Sequence, residues 1–337
     1  MINYAIVGCG HIANKHIEAI EKIDQASLVA ICDTNPERLN QYMEQTGAEG
    51  YSSIDEMLER QSNIDVVCIC TPSGLHAPLA VKAAKAGKHL IIEKPLALTI
   101  GDADAIAAAV KSSGVKAAVV HPNRYRPAIK QLKSALEQNM FGKISHVNAT
   151  VRWNRGQAYY DQAPWRGTKA MDGGVLMNQA VHNLDLLQWL FGNVVQVKSM
   201  VDTRIRAIEA EDVAVATLRF ESGALGIVEA ATTIYDKNLE ESISVFGEKG
   251  YAIIGGVTAN WIKQWKCESM GDEAIDLLKQ EVEANPYGVS GHQQIIEDMI
   301  AAIRDDREPV VTVEDGKAAV QLVIDIVQDG SVVPQIN

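Results

Sequence analysis

Apolar positions along the chain follow two rhythms. Up to about residue 120, short apolar runs alternate with stretches of helical spacing. Tyr4 to Val7, Leu28 to Cys32, Ile64 to Cys70, His89 to Ile92 and Val115 to Val120 read as strands. Ile17, Ile20 and Ile23 sit one helical turn apart between the first two. Pro36 opens the next helix, where its missing N–H costs nothing. Ser53 with Glu56 and Thr99 with Asp102 mark helix starts, and Gly87 and Gly114 mark ends. Strand and helix in alternation predict βαβ units and a parallel sheet. The near-continuous apolar run at 64–70 fits a strand covered on both faces.

Beyond about residue 121 the rhythm changes. Pro127 to Met140 and Val175 to Leu190 read as helices, and Ile144 to Trp153 as a strand. The polar, aromatic stretch from Asn154 to Asp172 has no clear period. Strands are then expected at 194–201, 213–220, 224–232, 242–246, 251–254 and 261–265. Short turns at Glu221-Ser222-Gly223 and Glu248-Lys249-Gly250 favour antiparallel pairing. Ser290 with Gln293 and Thr312 with Asp315 open two closing helices. The fold class expected is α/β. A doubly wound parallel sheet spans 1–122, and a second domain with a large, mostly antiparallel open sheet spans 123–337.

The length of 337 residues agrees with two domains at roughly 150 residues each. The net charge of −12 argues against a nucleic-acid partner, which calls for a basic surface. Five cysteines in a chain this long are no disulfide framework, and no metal site is expected. The N-terminus carries no signal-peptide pattern, and no apolar run reaches the ~18 residues of a membrane span. The expectation is a cytoplasmic protein with no membrane partner.

Gly8-Cys9-Gly10-His11-Ile12-Ala13 follows a predicted strand and opens a predicted helix, the context of a dinucleotide-binding G-x-G-x-x-A. Gly8 permits the turn, Gly10 lets a pyrophosphate approach the backbone, and Ala13 keeps helix and strand close. Asp33 ends the second strand 25 residues after Gly8, near the spacing of about 20 for a ribose-binding carboxylate. Thr34 and Asn35 follow it and supply no partner for a 2′-phosphate, so NAD is expected. Candidate cofactor contacts are Gly8, Gly10, His11, Ile12 and Asp33. Thr71, Pro72, His76, Glu93 and Lys94 join them, since their loops follow strands ending at Cys70 and Ile92.

These motifs, together with Glu93-Lys94-Pro95 and the run Gly173-Gly174-Val175-Leu176-Met177-Asn178-Gln179-Ala180-Val181-His182, resemble the Gfo/Idh/MocA oxidoreductases. The resemblance covers essentially the whole chain. It implies an N-terminal Rossmann domain and an open C-terminal sheet that usually mediates dimers or tetramers. It also implies Lys94 and His182 as catalytic residues. Many relatives carry Asp four residues before that His. Here Asn178 stands there, able to hydrogen-bond but not to relay a proton.

Arg152-Trp153-Asn154-Arg155, Tyr159-Tyr160-Asp161 and Trp165-Arg166-Gly167-Thr168 resemble the UDP-N-acetyl-2-amino-2-deoxyglucuronate 3-dehydrogenases within that family. Arginine forks suit diphosphate and carboxylate, and tyrosines and tryptophans give a sugar or base flat walls. Candidate substrate contacts are therefore Arg124, Tyr125, Arg152, Arg155, Tyr159, Tyr160, Trp165, Arg166, Asn178 and His182. The reaction expected is oxidation of the 3-hydroxyl of UDP-N-acetylglucosaminuronate, with 2-oxoglutarate a possible second substrate. UDP-N-acetylglucosamine, inositol or a free sugar are alternatives, as is a non-catalytic nucleotide-sensing regulator. Either His182 or Lys94 can serve as the base. His292, at the start of a later helix, reads as structural or interfacial.

Overall fold

The computed structural model describes residues 1–331. The chain divides into two compact units. The first contains Met1–Pro122 and Val289–Val320, and the second contains Asn123–Gly288 and, among the described residues, 321–331.

In the first unit, β1 (Ile2–Val7), α1 (Ala13–Glu21), β2 (Ala26–Cys32), α2 (Pro36–Thr46), β3 (Glu49–Tyr51) and α3 (Ile54–Arg60) come first. Then follow β4 (Val66–Ile69), α4 (His76–Lys85), β5 (His89–Ile92), α5 (Ile100–Ser113) and β6 (Ala117–Val119). The strands form one sheet in the order β3-β2-β1-β4-β5-β6, with every pairing parallel. The order reverses at β1, where β2 and β4 flank it, and ligands of such sheets bind beyond the strand ends at that reversal. All four residues of β4 are buried, as a strand covered on both faces requires. Of the expected caps, Ser53, Thr99 and Thr312 each accept a backbone N–H three residues on, whereas the Ser290 side chain makes no cap bond.

The second unit begins with α6 (Pro127–Glu137), β7 (Ile144–Arg152) and the short α7 (Gln157–Tyr160). A π-helical turn, Leu176–Ala180, runs into α8 (Val181–Phe191). Next come β8 (Val194–Asp202), β9 (Val213–Phe220), β10 (Leu225–Ala231), β11 (Glu240–Gly247), β12 (Gly250–Gly255), β13 (Trp261–Cys267) and α9 (Asp272–Ala284). The sheet order is β13-β12-β11-β7-β10-β9-β8. Only β7 and β10 pair in parallel; the rest are antiparallel. In β9 burial alternates residue by residue, so one face packs and the other lies open. Helix α8 packs on β7 and β11, on the buried face.

Two helices close the chain, α10 (Gly291–Arg304) and α11 (Val313–Gly330). Helix α10 returns to the first unit, packing on α1 and β6. Its apolar stripe of Ile295, Ile296, Met299 and Ile300 supplies the reason, since all four are buried. A single division at 122/123 therefore does not describe the chain: residues 289–320 belong with the parallel sheet. Helix α9 has no counterpart in the sequence reading. No helix among the described residues is long and apolar enough to cross a membrane.

Candidate active site

The first unit presents a glycine loop beyond β1. Gly8 has φ +100°, and a Cβ there would lie 2.8 Å from the Cys70 carbonyl carbon, so the loop is pressed against the end of β4. A Cβ on Gly10 would meet nothing within 4 Å. That open space at the start of α1 suits a pyrophosphate, which needs backbone N–H groups and no side chain in the way. Ala13 is fully buried, and His11 is exposed. The Tyr42 hydroxyl, from α2, donates to the Gly10 carbonyl at 2.9 Å. The sequence reading did not single out Tyr42, because its role depends on how α2 docks.

Asp33 sits at the end of β2. Its Oδ2 accepts the Cys9 N–H at 2.7 Å, and its Oδ1 accepts the Asn35 N–H at 2.7 Å. The carboxylate thus ties the glycine loop to β2, with lone pairs left for ribose hydroxyls. Arg38 Nη2 also reaches Oδ1, at 3.2 Å. A cation does stand beside Asp33, then, where the residues directly after it promised none. It comes one helical turn later and is engaged by the carboxylate itself. The cradle fits a dinucleotide with free ribose hydroxyls.

Two further loops belong to this unit. His76 is buried and joins them, with Nδ1 2.7 Å from the Pro95 carbonyl and Nε2 3.0 Å from the Thr71 carbonyl. Burial pushes its imidazole below the ordinary value, against these carbonyls, which favour the cation. The Thr71 hydroxyl is buried with no hydrogen-bond partner. Such an orphan beside a cofactor loop is what a bound ligand would satisfy. The Lys94-Pro95 peptide is cis, and Lys94 is partly exposed. Glu93 is buried, and its Oε2 accepts the Lys94 N–H at 3.2 Å.

In the second unit, Asp172 organises the irregular stretch. It is buried, its Oδ2 accepts the Gly167 N–H at 2.7 Å, and its Oδ1 accepts from the Asn178 amide. The sequence reading named Asn178 but not Asp172. The helix that carries His182 opens as a π turn, with i to i+5 spacing, and such turns recur at functional sites. Glu211 caps its start: Oε1 accepts the Leu176 N–H at 3.0 Å, and its backbone carbonyl accepts the Val175 N–H. Burial pushes the Glu211 carboxyl up, while the Leu176 N–H and its own backbone N–H oppose that shift. His182 is partly exposed.

The arginines divide into two groups. Arg166 Nη1 donates to the Tyr159 hydroxyl at 2.5 Å and its guanidinium lies over the Tyr159 and Trp165 rings. Its Nε is buried without a partner. Arg155 lies over Trp153 and Tyr159 and bonds Asn238 Oδ1 at 3.1 Å. These two and their aromatic neighbours form one cluster. Arg152 is engaged elsewhere, with Nε and Nη2 on Glu229 at 2.8 and 2.6 Å and Nη1 on Glu240 at 2.9 Å. Arg124 is buried against Asp185. Both guanidiniums are thus paired with carboxylates in this structure. Tyr125 adjoins Arg124 in a 3-10 turn, and Tyr160 is buried with its hydroxyl on Thr232 at 3.2 Å.

Residues 2–121 match the oxidoreductase family with an NAD-binding Rossmann fold, and residues 129–253 match the GFO/IDH/MocA C-terminal domain. Myo-inositol 2-dehydrogenase of Thermotoga maritima is 30% identical over 94% of this chain and 92% of its own. The chain belongs to the Gfo/Idh/MocA family. It is an NAD-dependent oxidoreductase. Among solved structures, the WlbA dehydrogenase of Bordetella pertussis in complex with NADH and UDP-GlcNAcA superposes with a TM-score of 0.93. It is 40% identical, over 98% of this chain and 95% of that one. The WlbA dehydrogenase of Chromobacterium violaceum, with the same two ligands, also gives 0.93, at 36% identity over 100% and 97%.

Proposed function

We propose that this protein oxidises the 3-hydroxyl of UDP-N-acetylglucosaminuronate to the 3-keto sugar. One observation carries the reading: 40% identity, over nearly the whole chain, to a dehydrogenase solved with NADH and UDP-GlcNAcA. The inositol dehydrogenase stands further off, at 30%. The cluster of Arg155, Tyr159, Trp165 and Arg166 supports it, because stacked guanidiniums beside aromatic rings suit a diphosphate and a uracil.

The nicotinamide, when bound, accepts the hydride from the sugar carbon. Gly8, Gly10 and Asp33 hold the dinucleotide, and His76 fixes the two loops that face it. His182 removes the hydroxyl proton, a task suited to an imidazole near neutral pH. Lys94 stabilises the developing alkoxide. Asn178, tied to Asp172, orients the loop before His182 and takes no proton. The exposed sheet face, with Met200, Val215, Leu225 and Ile227, supports a homodimer or homotetramer.

NADH formation at 340 nm with UDP-N-acetylglucosaminuronate, UDP-N-acetylglucosamine and myo-inositol tests the substrate. Turnover of inositol alone overturns the proposal, and turnover of UDP-N-acetylglucosamine at an equal rate removes the 6-carboxylate from it. Single-turnover NADH formation tests the roles. His182→Ala is expected to slow it at least about a hundredfold, the scale of general base catalysis. If the enzyme cycles NADH in place, added 2-oxoglutarate suppresses the 340 nm signal while keto sugar accumulates.

A further inference from the structure

Beneath the Lys94 loop, three side chains from distant parts of the first unit meet. His16 lies on α1, Glu93 ends β5, and His292 lies in the first turn of α10. His16 Nε2 is 2.9 Å and His292 Nε2 3.3 Å from the same oxygen, Glu93 Oε1. The other oxygen, Oε2, accepts the Lys94 N–H. The two imidazoles meet edge to face at 5.1 Å. His16 and Glu93 are almost fully buried, and His292 keeps 12% of its side chain exposed.

A carboxylate accepts and does not donate, so both contacts to it are Nε2–H donors. That leaves His16 Nδ1 as an unprotonated acceptor, and it is buried with no partner. Burial pushes the His16 imidazole below its ordinary value, which keeps it neutral. Burial alone would raise Glu93, but the bonds from His16 and His292 outweigh it and hold the carboxyl well below the usual range. An ionised carboxylate with three N–H donors, in an enclosed site, is more than a packing residue requires.

We propose that His16 and His292 are positioning residues that hold Glu93 as a three-donor anion and, through its bond to the Lys94 N–H, fix the backbone that presents Lys94. Lys94 placed in this way acts as the polarising cation, and His182 serves as the base. Other titratable groups face Glu93 as well: Cys68 from β4, Cys70 just past its end and His76 from α4. Burial pushes both thiols well up, so they stay protonated beside the carboxylate.

The roles of Lys94 and His182 rest on the proposed function; the clamp does not, and the test separates the two. Gln places its amide where His Nε2 lies and keeps the donor, whereas Leu removes it. Infrared difference spectra of protein with ¹³C-labelled glutamate, each variant against its own Glu93→Gln double, need no substrate. At pH 6, wild type and His292→Gln are expected to show the Glu93 carboxylate band, and His292→Leu a protonated carbonyl band. In turnover, His292→Leu is expected to lose about tenfold in kcat with KM within about twofold, and His292→Gln to recover it. The acid limb of kcat is expected about one pH unit higher in the Leu variant. If His292→Leu does not fold, His292→Asn, too short to reach, takes its place. Matching infrared bands and acid limbs in the Leu and Gln variants overturn the proposal. So does one equivalent of tightly held zinc in the purified protein, since Nε2 would then be a ligand and not a donor.

Discussion

Arg124 and Asp185 form a buried two-pronged ion pair, Nε to Oδ2 at 2.8 Å and Nη2 to Oδ1 at 2.5 Å. The guanidinium also lies 5.2 Å from the Trp189 ring centre. The pair joins the turn before α6 to the middle of α8, the helix that carries His182. Removing one partner leaves an uncompensated buried charge. Arg124→Ala and Asp185→Ala are each expected to cost about 3–5 kcal/mol in denaturant unfolding. The double variant Arg124→Met with Asp185→Leu is expected to recover most of it. A variant Arg124→Ala with unchanged stability and a raised KM for the nucleotide sugar would return Arg124 to the substrate.

Asp172 joins Gly167 to Asn178 and so shapes the aromatic stretch before His182. Asp172→Ala leaves the Gly167 N–H without its acceptor. The expected loss is about 1–3 kcal/mol of stability. A rise of about tenfold in KM for the sugar should accompany it, with KM for NAD within about twofold. Equal effects on both KM values would show a global disturbance in place of a local one.

How legible these features are in the sequence depends on how local their causes are. Strand β9 stands where its alternation places it, Val213–Phe220, because one open face makes the pattern strict. The glycine loop is legible for the same reason, since a turn and a helix start are set by neighbours. Helix α9 is not, because only Ile275 and Val282 of its thirteen residues are buried, too narrow a stripe to give a helical period. Arg124 carries no mark of its partner 61 residues away. As an arginine near expected site residues it reads as a ligand-binding group, and only the fold shows the carboxylate that takes it. His16, Glu93 and His292 are hidden in the same way.

Glu241 gives the unfolding free energy a slope with pH. It is buried on β11, with Oε1 accepting from Asn123 at 2.8 Å and Arg126 3.6 Å from Oε2. Burial pushes its carboxyl up to about 7, although Arg126 and Asn123 oppose the shift. A folded-state value above the unfolded one means that the native state binds more protons between them. Stability from this group is therefore present at low pH and lost as pH rises from about 4.5 toward 7, by about 3 kcal/mol. Glu241→Gln is expected to flatten that part of the profile. Urea unfolding of both proteins at pH 5, 6, 7 and 8 measures it, and parallel profiles would place Glu241 in a more polar setting.

Gly8 and Gly10 stand two residues apart and are expected to fail differently. Gly8 holds a left-handed φ of +100°, and a Cβ would lie 2.8 Å from the backbone of Cys70. Gly8→Ala must push β4 and the loop apart, so both stability and NADH binding fall, by an unfolding cost of about 1–3 kcal/mol. A methyl on Gly10 meets no protein atom within 4 Å. Gly10→Ala is therefore expected to leave the unfolding free energy within about 0.5 kcal/mol, the range of a harmless surface change. Its methyl would stand in the space needed for the pyrophosphate to approach the backbone. The dissociation constant for NADH, read from nicotinamide fluorescence, is expected to rise at least about tenfold, or about 1.4 kcal/mol. Unchanged NADH affinity in Gly10→Ala would mean that the pyrophosphate takes another path across the loop.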